Sequence, residues 1–178
     1  MKDEKAKSEL EVDVNEMTSM LDSYVSFVKT ESPEPIETII INELIGDIVK
    51  TFEKNGVKLI IKEKNIIQTS GRQIQLKRAF NNIIDNSQRY AKKIEIILYT
   101  NEKDCVIEFN DDGEGIPRDK YEDVFKPFFT LDPSRNKLKG ESGLGLTITR
   151  DIIRSHGGDV KLSDSNLGGL QLKVLLPL

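Results

Sequence analysis

The chain has 178 residues, 37% hydrophobic and 31% charged, the balance of a soluble globular domain and not of a disordered chain. Lys plus Arg number 26 against 30 Asp plus Glu, and the net charge of −4 argues against a basic nucleic-acid binder. A single cysteine, Cys105, excludes an intrachain disulfide, and a single histidine, His156, excludes metal sites built on paired histidines.

Leu10, Val14, Met17, Leu21, Tyr24 and Val28 recur at alternating steps of four and three, a heptad seam with polar residues between. Pro33 and Pro35 close this segment, since proline neither continues a helix nor leaves the preceding residue helical. A helix over 3–30 would be roughly 40 Å long at ~1.5 Å per residue. It reads either as an amphipathic helix lying on the following domain or as a bundle or coiled-coil helix; the narrow seam and the Glu31-Ser32-Pro33-Glu34-Pro35 break favour the second. Burying the six seam residues would supply on the order of 1.5–3 kcal/mol each before entropy, which favours self-association or docking through residues 10–28. No apolar run reaches the ~20 residues of a membrane span, and Met1-Lys2-Asp3-Glu4-Lys5 lacks a signal-peptide core, so a cytoplasmic chain is expected.

Beyond Pro35 the texture is mixed. Ile36 to Ile41 predicts a strand, and Asn42 a cap for a helix reaching Phe52. Val57 to Lys62 and Ile66 to Thr69 predict a hairpin. Ser70 and Gln73 have capping-box spacing ahead of a helix reaching Tyr90. Lys93 to Thr100 and Cys105 to Asn110 alternate as strands across a polar turn. A Gly- and charge-rich loop over 111–142 precedes a helix from Gly143 to His156, which Gly157-Gly158 stops. Asp159 to Asp164 and Gly169 to Leu176 close the chain as strands. Runs of strands with interspersed helices predict an α+β two-layer sandwich.

Four clusters carry chemistry. Asn82 and Asn86 share one helix face at i, i+4, and a side-chain amide oxygen suits Mg²⁺; a solvent-facing pair is the plain alternative. Asp111-Asp112-Gly113-Glu114-Gly115-Ile116 follows a strand. There a carboxylate can accept from an exocyclic amine and glycines allow close backbone approach, though the same residues also suit a simple turn. Val124-Phe125-Lys126-Pro127-Phe128-Phe129 reads as a local hydrophobic plug. Gly143-Leu144-Gly145-Leu146 opens a helix whose unblocked N–H groups would cradle phosphate, or simply forms a flexible helix entry.

In this order and spacing the clusters resemble the catalytic and ATP-binding domain of sensor histidine kinases, in the wider superfamily of gyrase, Hsp90 and MutL. Phe80 to Ser87 matches the N box, Asp111 to Gly115 the first glycine box, Phe125 to Phe129 the F box and Gly143 to Leu146 the second glycine box. His156-Gly157-Gly158 and Leu175-Leu176-Pro177 are also similar, and Asp132-Pro133-Ser134-Arg135-Asn136 resembles the osmosensor-type alphaproteobacterial branch. The resemblance implies a Bergerat-type ATP-binding fold, a mixed sheet with helices on one face, preceded by one long N-terminal helix. Residues 1–32 would be the second helix of a dimerization hairpin and 33–178 the catalytic domain.

By the same resemblance Asn86 would bind Mg²⁺, Asn82 support the phosphates, Arg89 contact phosphate and Tyr90 lie near adenine or ribose. Asp111 would take the adenine amino group, with Gly113, Gly115 and Ile116 shaping the pocket. Leu131 to Ser142 would form an ATP lid carrying Arg135, Lys137 and Lys139, and Gly143, Leu144, Gly145 and Leu146 would supply backbone around the triphosphate. Lys126 and Leu170 depart from the pattern, where an acid and a small or hydroxylated residue are common.

The implied activity is protein-histidine kinase, feeding a two-component phosphorelay with a response regulator as partner. The acceptor histidine and its helix are missing, and His156 reads as helix termination. Autophosphorylation of the chain alone is therefore not expected, and transfer would go in trans to a phosphoacceptor domain or a full-length, inner-membrane-anchored kinase. Competing readings are an ATPase of the gyrase, Hsp90 or MutL kind, an anti-sigma-type serine kinase, and a non-catalytic fragment that binds ATP and a partner through the heptad helix. An amide at position 82 cannot serve as the base that the ATPases use.

Overall fold

The computed structural model describes residues 34–52, 58–63, 65–131 and 143–178, and, of the expected N-terminal helix, Val14 and Thr18. Those two are helical, with Thr18 Oγ1 donating to the Val14 carbonyl at 2.8 Å. The heptad seam and the 1–32 segment otherwise lie outside the described residues, as does 132–142, which holds Arg135, Lys137 and Lys139.

The described elements run β1 (Glu37–Ile40), α1 (Ile41–Phe52), β2 (Lys58–Glu63), β3 (Gln68–Gly71), α2 (Gln73–Tyr90), β4 (Lys93–Thr100), β5 (Asp104–Asp111), α3 (Gly145–Ser155), β6 (Asp159–Asp164) and β7 (Leu170–Pro177). Short 3₁₀ turns at Arg118–Lys120 and Asp123–Phe125 punctuate the loop after β5. Five strands form one sheet in the order β2-β4-β5-β7-β6; only β2 and β4 are parallel. This is the α+β, mixed-sheet architecture expected.

One face of that sheet presents Ile94, Ile96 and Leu98 of β4, Cys105, Ile107 and Phe109 of β5, and Leu172, Val174 and Leu176 of β7, all buried. The strict alternation along each strand sends these inward. The helices answer at helical spacing. Buried positions of α2 are Leu76, Ala79, Phe80, Ile83, Ile84 and Ser87, those of α1 are Ile41, Leu44, Ile45, Ile48 and Val49, and those of α3 are Ile148, Thr149, Ile152 and Ile153. Phe80 meets Phe109 across the layers, ring centroids 6.1 Å apart and tilted by 37°.

Three local expectations are corrected. The segments 57–62 and 66–69 do not form a hairpin. β2 pairs in parallel with β4, Ile61 opposite Ile96, while β3 pairs antiparallel with β1, Ile39 opposite Thr69. A parallel partner needs a long crossover, which β3 and α2 provide. Asn42 is not a cap, because α1 starts at Ile41 directly off β1. Its amide instead accepts from the Ile67 N–H at 2.8 Å and donates to the Asn65 carbonyl at 3.1 Å.

The third concerns the start of α2. Ser70 lies in β3, and the cap position is Arg72, with extended backbone and no side-chain cap bond. The capping group comes from far along the chain. The Glu34 carboxylate accepts from Ile74 N–H at 2.5 Å and Gln75 N–H at 3.2 Å. A carboxylate facing the positive end of a helix commonly contributes about 0.5–2 kcal/mol.

Candidate functional site

α2 and α3 pack antiparallel, and three polar contacts register them. The Arg72 N–H meets His156, Thr149 Oγ1 donates to the Ala79 carbonyl at 3.4 Å, and Asn82 Nδ2 donates to the Gly145 carbonyl at 3.3 Å. Gly145 is the first residue of α3, whereas α2 continues from Asn82 to Tyr90. About two turns of α2 therefore project past the N-terminal end of α3. That overhang carries Asn86, Arg89 and Tyr90.

Asn82 and Asn86 are both half-buried. Asn82 is committed to Gly145, while the Asn86 amide makes no hydrogen bond to a described residue. Arg89 and Tyr90 are exposed at the end of the helix, and one turn earlier burial raises the Asp85 carboxyl above the usual carboxylate range, with Arg89 pulling weakly the other way.

The loop after β5 closes on the same end of α2. Asp111 is buried, and its Oδ1 accepts from Gly113 N–H at 3.0 Å and from Leu170 N–H at 2.9 Å. The Gly169 N–H donates to the Asp111 carbonyl at 3.1 Å. A Cβ at Gly169 would lie 2.2 Å from Asp111 Oδ1 and 2.4 Å from the Gly113 nitrogen, so only glycine fits. A Cβ at Gly113 would come within 2.9 Å of the Tyr90 carbonyl, which shows how closely this loop approaches the overhang.

Asp112 faces the other way and staples the loop to β4. Its Oδ1 accepts from Lys92 and Lys93 N–H, each at 2.8 Å, and the Lys93 N–H foremost holds its carboxyl below the usual carboxylate range. Gly115 adopts φ +70°, which its missing side chain permits, and Ile116 packs against the core cluster.

The phenylalanine-rich segment holds the entry to α3. Val124 and Phe125 are buried, as the plug reading expected, but Phe128 is 56% exposed. Phe128 donates its N–H to the Gly143 carbonyl at 3.1 Å, and both residues have φ +63°. Phe128 is the one described non-glycine residue with positive φ. Leu144 is buried, and Gly145 and Leu146 begin the helix half-buried.

The structure thus brings Asn82, Asn86, Arg89, Tyr90, Asp111, Gly113, Gly115, Ile116 and Gly143 to Leu146 to one end of the helical layer. Arg135 and Lys137 lie outside the described residues. Sequence reading missed Gly169, for which the Gly168-Gly169 doublet before the last strand was the available signal. It also missed Arg150 and Thr147, which hold the phenylalanine-rich segment to α3: Thr147 Oγ1 donates to the Phe125 carbonyl at 2.9 Å, and the Arg150 guanidinium lies 4.5 Å from the Phe125 ring centroid.

Comparison with known proteins bears on the family and the fold. Residues 71–178 match the model of the histidine kinase-, DNA gyrase B- and HSP90-like ATPases. The chain is 29% identical over 179 residues to the sensor histidine kinase GtrS of Pseudomonas aeruginosa, covering 99% of this chain and 37% of that protein. It is 30% identical over 177 residues to the sensor histidine kinase CpxA of Escherichia coli, covering 95% of this chain and 39% of that protein. The chain therefore spans less than half the length of these relatives.

Among solved structures, the mycobacterial sensor histidine kinase MprB superposes with a TM-score of 0.71 at 23% identity, covering 80% of this chain and 97% of that one. The catalytic domain of histidine kinase ThkA superposes with a TM-score of 0.72 at 22% identity, covering 80% and 95%. These likenesses establish the shared fold. Among the described residues no helix is long and apolar enough to cross a membrane. The matched segment holds α2, both glycine-rich turns and the whole of the sheet except β2, and the chain belongs to the histidine kinase-, DNA gyrase B- and HSP90-like ATPase family.

Proposed function

We propose that this chain binds Mg-ATP and positions its γ-phosphoryl group for transfer to a histidine supplied in trans, by a phosphoacceptor domain or a full-length kinase, with a response regulator downstream. Residues 33–178 form the catalytic unit in this reading, and 1–32 a dimerization helix through which copies associate. The observation that carries it is the fixed Asp111 carboxylate. Two backbone N–H groups hold Oδ1, which leaves Oδ2 to accept from the adenine amino group, while Gly169 keeps side-chain bulk away. Gly113, Gly115 and Ile116 line the base, and Tyr90 flanks it at the helix end.

The triphosphate then lies along the overhang of α2 toward the start of α3, where the helix macrodipole places partial positive charge. Gly143, Leu144, Gly145 and Leu146 supply that backbone, and Arg89, Arg135 and Lys137 supply cationic side chains. Asn86, with its uncommitted amide oxygen, is the fitting protein ligand for Mg²⁺, which keeps several waters and takes further oxygens from phosphate. Among the described residues no cluster of three His, Cys, Asp or Glu offers an alternative metal cage. When bound, Mg²⁺ neutralises charge on the β- and γ-oxygens. The N–P bond to the acceptor imidazole forms as the bond from the γ-phosphorus to the bridging oxygen breaks, and ADP leaves. Asn82 is an amide engaged with Gly145, which speaks against water activation there.

The test mixes the chain with γ-labelled ATP, Mg²⁺ and a separately produced phosphoacceptor helix pair. Label on the partner's histidine is expected. Release of free phosphate in the partner's absence, without label on any protein, would overturn the kinase reading in favour of hydrolysis.

A further inference from the structure

His156 does more than end α3. Its Nδ1 lies 2.7 Å from the Ile152 carbonyl and its Nε2 lies 3.0 Å from the Arg72 nitrogen. A carbonyl only accepts and an amide N–H only donates, so the partners fix the ring as the neutral tautomer, with the proton on Nδ1 and the lone pair on Nε2. The ring thereby joins the last turn of α3 to the residue that begins α2.

The surroundings are shaped for that ring. A Cβ at Gly71 would lie 2.9 Å from His156 Cδ2 and 3.3 Å from Nε2. Gly157 turns the chain at φ +76°, and a Cβ at Gly158 would lie 2.2 Å from the Leu175 carbonyl. The two glycines make the helix stop, and the histidine makes the crossing contact.

The crossing has a consequence at the far end of the helix pair. α2 and α3 are registered by His156 at one end, Thr149 in the middle and Asn82 at the other. A helix transmits displacement along its axis, so a slip or rotation at Arg72 appears at Asn86, about 21 Å away at ~1.5 Å per residue. We propose that His156 is a positioning residue for the nucleotide site, latching α3 to the start of α2 and so setting how the Asn86 end of α2 overhangs the start of α3. The proposal rests on the nucleotide reading given above.

The test is calorimetric titration of the full chain with a non-hydrolysable ATP analogue and Mg²⁺. His156→Ala is expected to weaken binding roughly three- to tenfold, the scale of one hydrogen bond. His156→Gln, whose side-chain oxygen can stand where Nε2 stands, is expected to stay within roughly twofold of wild type, on the same scale. Gly71→Ala, which pushes the ring aside, is expected to weaken binding as His156→Ala does and to add nothing in the double variant. Unchanged affinity in His156→Ala, or a glutamine variant as weak as the alanine one, overturns the proposal. Should His156→Ala fail to fold, Gly71→Ala decides, and wild-type affinity there overturns it. A wild-type chain that binds no nucleotide overturns the proposed function and this proposal with it.

Discussion

Leu170 donates its backbone N–H to Asp111 Oδ1 at 2.9 Å, so the first residue of β7 holds the last residue of β5 by its side chain. With the Gly113 N–H on the same oxygen, the carboxylate is fixed before any ligand arrives. Asp111→Asn keeps an oxygen for those two donors but replaces Oδ2 with an NH₂ group, which would meet the adenine amine donor to donor. The expected loss is a hydrogen bond to a charged group, about 10- to 150-fold in nucleotide affinity, with the melting temperature little changed. Gly169→Ala should lose both binding and stability, because its Cβ would enter the space of Oδ1. Calorimetry on the two variants separates these outcomes, and unchanged affinity in Asp111→Asn would remove this residue from the base pocket.

Asn82 and Asn86 share a helix face but not a role. The Asn82 amide is spent on the Gly145 carbonyl, whereas that of Asn86 has no partner among the described residues. Asn86→Ala should therefore flatten the Mg²⁺ dependence of nucleotide binding. Asn82→Ala should loosen the α2–α3 register and lower stability by about 0.5–1.5 kcal/mol, the range for one net hydrogen bond. Titrating Mg²⁺ at fixed nucleotide checks the first and urea denaturation the second; an unaltered metal titration in Asn86→Ala would exclude it as a ligand.

The fold and most of this site were legible because each depends on local patterns. The buried stripe of α2 recurs at helical spacing, and the glycines around Asp111 and before α3 stand out against charged surroundings. What was not legible depends on contacts between distant segments. Nothing in the alternation of Val57 to Thr69 says that β2 prefers the parallel edge of β4 to its neighbour β3. Ser70 and Gln73 have the spacing of a cap, yet Ser70 stays in β3 and the far-off Glu34 carboxylate takes the Ile74 and Gln75 N–H groups at the start of α2. His156-Gly157-Gly158 read as a stop because its second function appears only when Arg72 is brought within 3.0 Å.

Cys105 is buried on β5, and burial first, with Asp104 adding to it, pushes its thiol up to about 12. In the unfolded chain the thiol returns to about 8.5. Because the folded value is the higher one, its contribution to stability is complete below pH ~8.5 and is lost as pH rises toward the folded value. Tyr99, raised by burial and by its bond to Glu108, extends the loss to higher pH. Alkylation at pH 8 should be blocked in the folded chain and fast in denaturant. The urea midpoint should fall between pH 8 and 10.5, and Cys105→Ala should flatten the lower part of that fall. Rapid alkylation of the folded chain, or an identical pH slope in the variant, would contradict this.

Arg150 holds the phenylalanine-rich segment against α3 from three directions. Its guanidinium stacks over Phe125, its Nη2 donates to the Phe125 carbonyl at 3.4 Å, and its Nη1 pairs with Glu122 at 3.3 Å. The Glu122 contact is largely exposed and contributes little, but the stacked face is shielded. Nε is buried with no hydrogen-bond partner among the described residues, which costs stability. Lysine preserves charge but not the planar face, so Arg150→Lys should destabilise the chain by about 1 kcal/mol. Arg150→Met should restore part of that by filling the space without a buried donor. The segment also positions Gly143 through the Phe128 N–H, so amide exchange should quicken at Phe128 and Phe129 in Arg150→Lys while the sheet stays protected. Equal protection of this segment in wild type and Arg150→Lys would show that Thr147 alone suffices to hold it.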